Sequence, residues 1–197
     1  MTGVASAWVQ RWSHLVAPGA TVLDVGCGQG RHVHWFARRG HPVTGVDRSV
    51  EALQAIERMA GDHRMPMELV QADIENGPWP LMDGAAPRQF GAIVVTNYLW
   101  RPLVPTLLAS LGDGSVLLYE TFAQGNATVG RPSRPDFLLR RRELIDWCGD
   151  LHIVAFEDGF CDNPARFVQR IAAVKAGPSA PGPGAASGEP VRYALGA

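Results

Sequence analysis

The chain has 197 residues, 46% of them hydrophobic and 19% charged, with a formal net charge of −1 and a pI of about 6.6. That composition supports one substantial core, and the near-neutral charge excludes a global electrostatic grip on nucleic acid. No stretch approaches the ~18 apolar residues of a membrane span.

The opening 15 residues are interrupted by Arg11 and His14 and lack the apolar core of a secretory signal. Within them, Trp8, Val9, Trp12 and Leu15 follow helical spacing and predict a short amphipathic helix over 6–15. Its stripe has two readings, packing on the core or serving as a lid over a ligand. A strand is predicted over 22–25, then a helix over 31–39 stopped by Gly40, and a strand over 42–46. Ser49 stands as an N-cap before a helix carrying Leu53, Ile56 and Ala60 and ending at Gly61. Strands follow at 67–71 and at 90–96, the second an unbroken apolar run suited to a sheet covered on both faces. A helix over 105–111 is broken by Gly112 and Gly114, and a strand over 115–120 follows. The last elements are a helix over 141–148 and strands over 151–157 and 167–175.

This alternation predicts an α/β fold with a Rossmann-like, mostly parallel sheet of seven strands and helices on both faces. The final two strands are about ten residues apart. That is too few for a parallel crossover, so they form a C-terminal antiparallel β-hairpin. One domain is expected over 1–175, with the N-terminal helix in 1–19. The Gly-, Pro- and Ala-rich stretch 176–197 reads as a flexible tail. The cysteines Cys27, Cys148 and Cys161 show neither metal-ligand spacing nor a disulfide pattern. No metal site is expected, and a reducing cytoplasm suits the chain.

The densest chemical signal is the segment 21–49, TVLDVGCGQGRHVHWFARRGHPVTGVDRS. An apolar strand enters Gly26-Cys27-Gly28-Gln29-Gly30, a helix follows, and a second strand ends in Asp47. The dinucleotide fingerprint G-x-G-x-x-G would need a glycine where this chain has Arg31. Here the third glycine comes one position earlier. Asp24 sits just before the loop, awkward for a phosphate but comfortable beside an ammonium group. Asp47 follows at about the 20-residue spacing of a ribose-binding acid.

The segment resembles motif I of the class I S-adenosylmethionine-dependent methyltransferases, hydrophobic-D-x-G-x-G-x-G, through Asp24, Gly26, Gly28 and Gly30. Asp47 matches the acid at the end of that family's second strand. The resemblance implies S-adenosylmethionine as methyl donor, S-adenosylhomocysteine as product, and the terminal antiparallel hairpin. It covers about 20–175. It further implies that Asp24 orders the loop or meets the ammonium group through water, with Cys27 inside the loop and Arg48 beside Asp47 in the same site. Asp73 and Ile74, after the third strand, match the residues that hold adenine, and Asn97 those at the reacting end. Asp73 also reads as an exposed loop acid.

Beyond the fourth strand lie Tyr98, Trp100 and Arg101, and at the end of the fifth lies Glu120. This is where open α/β sheets bind ligands. The Asn97-Tyr98-Leu99-Trp100 run departs from the N/D-P-P-Y/F signature of nucleobase and glutamine methylation. Tyr98 and Trp100 either face substrate or cap the core. Glu120 is a candidate base, cation ligand or loop anchor. Five arginines in 131–142 either solvate a surface loop or recognise an anionic acceptor. This region is similar to small stand-alone bacterial methyltransferases near the tellurite-resistance type. The expected acceptor is a small molecule. A protein or RNA methyltransferase and a non-catalytic S-adenosylmethionine-binding protein are the alternatives.

Overall fold

The computed structural model describes residues 3–60, 66–177 and 191–195. β1 (Val22–Val25), α2 (Arg31–Ala37), β2 (Val43–Asp47), α3 (Val50–Ala60) and β3 (Met67–Gln71) form the first half, after a short α1 (Ala7–Trp12). A two-pair ribbon, β4 (Met82–Asp83) with β5 (Ala86–Pro87), precedes β6 (Phe90–Thr96). Then come α4 (Val104–Ala109), β7 (Leu111–Phe122), α5 (Glu143–Trp147), β8 (His152–Asp162) and β9 (Ala165–Val174).

The main sheet has seven strands in the order β3-β2-β1-β6-β7-β9-β8. All neighbours are parallel except β9, which runs antiparallel to β7 and β8. β1 and most of β6 are fully buried because helices cover both faces of the sheet centre. One core holds Leu23, Ile93, Leu117 and Ile171, and the other holds Val22, Val94, Leu118 and Ala172. The alternation of neighbours between two cores is the period-2 signature of strands.

α1 belongs to the second core. Ser6 caps it by accepting from Val9 N–H at 3.1 Å, Trp8 and Trp12 are buried, and the Trp8 indole donates to the Ile171 carbonyl. Residues 191–195 contact the body near the C-terminus. Tyr193 stacks on His152 at 4.7 Å, and His14 Nε2 lies 2.9 Å from the Ala194 carbonyl, so 191–195 rests on the body rather than standing free. The rest of the expected tail from 178 onward, and the helix stop at Gly61, lie outside the described residues.

The helices expected over 31–39, 105–111 and 141–148 are shorter than expected, and the larger differences lie in β7 and the terminal hairpin. β7 begins at Leu111 and passes through Gly112 and Gly114. Leu111 pairs with Phe90, and Gly114 N–H donates to the Lys175 carbonyl, so the glycines make an irregularity within a strand. The terminal hairpin is longer than its apolar runs. Phe160 stacks on Phe167 at 4.9 Å and Arg170 pairs with Glu157 across the strands. These contacts carry the ladder up to a turn at Asn163-Pro164.

Candidate active site

A cavity of about 200 Å³ opens at the carboxyl ends of β1, β2, β3 and β6. Gly26 and Asn97 line it from the β1 and β6 ends, Asp47 and Arg48 from β2, and Ala72, Asp73, Ile74 and Glu75 from the turn after β3. Tyr98 closes the last side. This is the crevice where open α/β sheets hold ligands, beside the point where strand order reverses.

The glycine loop gets its form from two different demands. At Gly28, φ is +52° and a Cβ would enter open space, leaving the backbone free for a ligand to approach. At Gly30, φ is +76° and a Cβ would stand 2.5 Å from Cγ1 of Ile56. Gly30 is therefore required by the packing of α3 as well as by its own backbone. The Cys27 side chain turns into the second core, away from the cavity, and burial pushes its thiol pKa up.

Asp47 ties the loop to β2. Its Oδ2 accepts from Gly28 N–H at 2.8 Å, and its Oδ1 accepts from Ser49 N–H at 2.9 Å. Asp73 is similarly engaged. It accepts from the backbone N–H groups of Glu75 and Asn76 and from the Asn76 amide. Both acids still line the cavity.

Asp24 does not line it. It is buried beneath the loop, 3.9 Å from Nδ1 of His32, and its Oδ2 has no hydrogen-bond partner. Burial raises its carboxyl pKa to about 7 against the opposing charge of Arg31. Burial and then Arg31 lower His32 to about 3. His32 Nε2 accepts from Ser6 N–H, which ties the N-terminal segment to this pair.

Asn97 leaves β6 with φ +54°, a conformation that asparagine tolerates better than most residues. Its N–H donates to the Glu120 carbonyl, and Tyr119 Oη donates to the Tyr98 carbonyl at 3.0 Å. The backbone is thus held where the Tyr98 ring packs on Gly26. The Tyr98 hydroxyl is buried with no hydrogen bond of good geometry. Burial, and next the adjacent Glu75 carboxylate, push its pKa up.

The remaining candidates are placed elsewhere. Glu120 is buried and ion-paired with Arg170 at 2.7 Å, with Arg166 at 3.8 Å. The short approach lacks the geometry of a hydrogen bond. Arg101 forms a bidentate pair with Glu143 at 2.7 and 2.9 Å and donates to the carbonyls of Asp136 and Leu138. Trp100 packs against the first core. Ala72 and Glu75 were not among the sequence candidates. The signal for both was their position directly after a strand end, with Glu75 two residues beyond Asp73. Tyr119 had no local signal, because its role depends on reaching the neighbouring strand's loop.

A second cavity, of about 290 Å³, shares Glu75, Asn97 and Tyr98 with the first. Among the described residues, no group of three or more His, Cys, Asp or Glu side chains is placed to hold a metal ion. No helix there is long and apolar enough to cross a membrane.

A sheet of this order with one antiparallel strand, bearing a glycine loop and acids at successive strand ends, defines the class I methyltransferase type. Residues 22–113 match the family model described as a methyltransferase domain. The chain is 34% identical over 114 residues to a malonyl-(acyl-carrier protein) O-methyltransferase of Serratia marcescens, covering 55% of this chain and 41% of the relative. It is 40% identical over 81 residues to a ubiquinone biosynthesis O-methyltransferase of Alkalilimnicola ehrlichii, covering 41% of this chain and 31% of that relative. The matches thus span less than half of these curated relatives.

Among solved structures, TehB from Haemophilus influenzae superposes with a TM-score of 0.71 at 18% identity, over 89% of this chain and 63% of TehB. The glycopeptide N-methyltransferase MtfA, complexed with S-adenosylhomocysteine, superposes at 0.61 and 17% identity, over 88% of this chain and 90% of MtfA. Residues 22–113 thus resemble a methyltransferase domain, set in a fold shared with TehB and MtfA.

Proposed function

We propose that this chain transfers the methyl group of S-adenosylmethionine to a small-molecule acceptor. The observation that carries the reading is the cavity at the ends of β1, β2, β3 and β6, lined by Gly26 and bordered by Asp47 and Asp73. In this reading Gly26 and Gly28 border the methionine portion and Asp47 accepts from the ribose hydroxyls. Asp73 and Ile74 hold adenine, with Arg48 at the rim. Asn97 and Tyr98 stand at the reacting end. Asp24 acts from below, by ordering the loop. The family's donor supplies a methyl group already activated by its sulfonium charge. The chain's own residues then have to bind it, align the acceptor and exclude water.

The domain proposed to do this is 1–175. Three free thiols, two of them buried, support a cytoplasmic location. An anionic acceptor loses support from the geometry. Arg101 and Arg140 are engaged with Glu143, and Arg134 with Asp136.

Titration calorimetry with S-adenosylhomocysteine tests the proposal. Saturable binding is expected, and its absence would overturn the reading.

A further inference from the structure

The second cavity carries more information than its position. Thr121 and Phe122, at the end of β7, form one wall with Leu99. Pro132 and Phe137, from the long loop after β7, form another. Glu75 and Tyr98 separate it from the first cavity, and Asn97 is shared between the two. The walls are built rather than incidental. The buried Asn126 donates from Nδ2 to the Pro132 carbonyl at 3.0 Å and accepts from Phe167 N–H at 3.1 Å. Arg101 grips the Asp136 and Leu138 carbonyls on either side of Phe137.

The charge lining this cavity has one sign. Glu75 is the single ionisable carboxylate on its wall, and no lysine, arginine or histidine lines it among the described residues. Arg134 lies over the Phe137 ring at 5.2 Å, but it is 71% exposed and paired with Asp136. Three aromatic residues, Tyr98, Phe122 and Phe137, line it, and the π-face of an aromatic ring attracts cations. A carboxylate or oxyanion placed here meets a like charge and no donor cation. An ammonium group meets a carboxylate and three rings.

Building on the proposed methyl transfer, we propose that this cavity selects an amine borne on an apolar, ring-sized body, with Glu75 as the group that recognises the nitrogen. Its volume lies near the lower end of small-ligand cavities, which begin at roughly 300 Å³. Glu75 accepts a hydrogen bond from the bound ammonium. Once the ammonium has lost a proton to solvent, the neutral nitrogen uses its lone pair to form the new N–C bond. The methyl C–S bond breaks, and its electron pair stays on sulfur, which becomes a neutral thioether. The methylated nitrogen is then positively charged, and Glu75 is placed to take a proton from it and pass it to water.

The test compares phenethylamine with 3-phenylpropionate, a pair of similar shape and opposite charge. Binding of each to the full chain is measured by calorimetry with and without S-adenosylhomocysteine, and methylation is read by mass spectrometry. Phenethylamine is expected to bind, and to bind more tightly than the acid. Glu75→Gln is expected to weaken it by about tenfold, the scale of one charge-assisted hydrogen bond, while leaving the acid's affinity level or raised. Phe137→Ala lies at a partly exposed loop position, outside the first cavity's wall. It is expected to weaken the amine severalfold with S-adenosylhomocysteine affinity unchanged. No saturable amine binding, tighter binding of 3-phenylpropionate, or an amine affinity indifferent to Glu75→Gln overturns the inference. If S-adenosylhomocysteine binds and the amine does not, this inference alone falls. If S-adenosylhomocysteine itself fails to bind, the methyl-transfer reading falls instead.

Discussion

Asp24 and His32 make one contact with two opposed pH signatures. Asp24 has a folded pKa of about 7 against an ordinary 3.8, so the native state keeps a proton that the unfolded chain has released. Its contribution to stability therefore falls as pH rises from about 4 to about 7, and is level above that. His32 is held at about 3 against 6.5, so between those values the unfolded chain carries the extra proton and stability rises with pH. The two slopes oppose each other from about pH 4 to 6.5. Asp24→Asn is expected to remove the falling limb alone. Urea denaturation across pH 4–8 should then show the variant gaining on the parent as pH rises, and a constant difference would contradict the assignment.

Asp47 holds two backbone donors and borders the cavity, so Asp47→Ala is expected to lower both thermal stability and S-adenosylhomocysteine affinity. The affinity loss should be about tenfold or more, given the worth of hydrogen bonds to charged groups. Unchanged affinity in calorimetry would remove Asp47 from the ribose role. Gly30→Ala meets Ile56 and a positive φ together, with an expected cost of about 1–3 kcal/mol. Combined with Ile56→Ala in a double-mutant cycle, the two costs should be less than additive, because one clash is shared.

At the scale of elements, the loop between β7 and α5 is fastened by a buried acid. Glu143 is 5% exposed at its side chain and receives Arg101, the Arg140 backbone N–H and the Arg140 guanidinium. Burial raises its pKa, but these bonds outweigh burial and hold it at about 2. A depressed carboxyl contributes stability that is complete above the unfolded pKa and is lost as pH falls from about 4.5 through 2. Glu143→Gln should cost about 1–3 kcal/mol at pH 7, discounted because Arg101 is partly exposed. The gap between parent and variant should close toward pH 2 in denaturant titrations. A gap that persisted there would mean that the side chain acts through shape rather than charge. Of the five arginines in 131–142 that look in sequence like an anion site, Arg134 and Arg140 are paired with nearby acids, while the tie from Arg101 to Glu143 is invisible locally because the two are 42 residues apart.

At the scale of the whole molecule, a ligand that binds only the folded state adds stability by mass action. S-adenosylhomocysteine at about 100 times its dissociation constant should add ~2.7 kcal/mol, a rise in melting temperature of about 5–10 °C for a domain of this size. No shift in a thermal scan at that excess would contradict specific binding. The sheet was legible in sequence because apolar runs at β1, β2 and β6, separated by helix-forming segments, leave few ways to bury them. The glycine loop and the acids at strand ends were legible for a related reason, since a parallel sheet gathers its strand termini at one rim.

What sequence alone determined was the fold class, the direction of the last strand and the residues that share that rim. Tertiary structure alone decided which of them face the cavity. The glycine loop turns Cys27 into the second core, while Asp24, in β1, is buried beneath that loop. Cross-strand register pairs Glu120 with Arg170 and carries Tyr119 to the Tyr98 carbonyl. Side-chain direction and pairing depend on neighbours distant in sequence, so a local pattern can name a strand end without saying what its side chain meets.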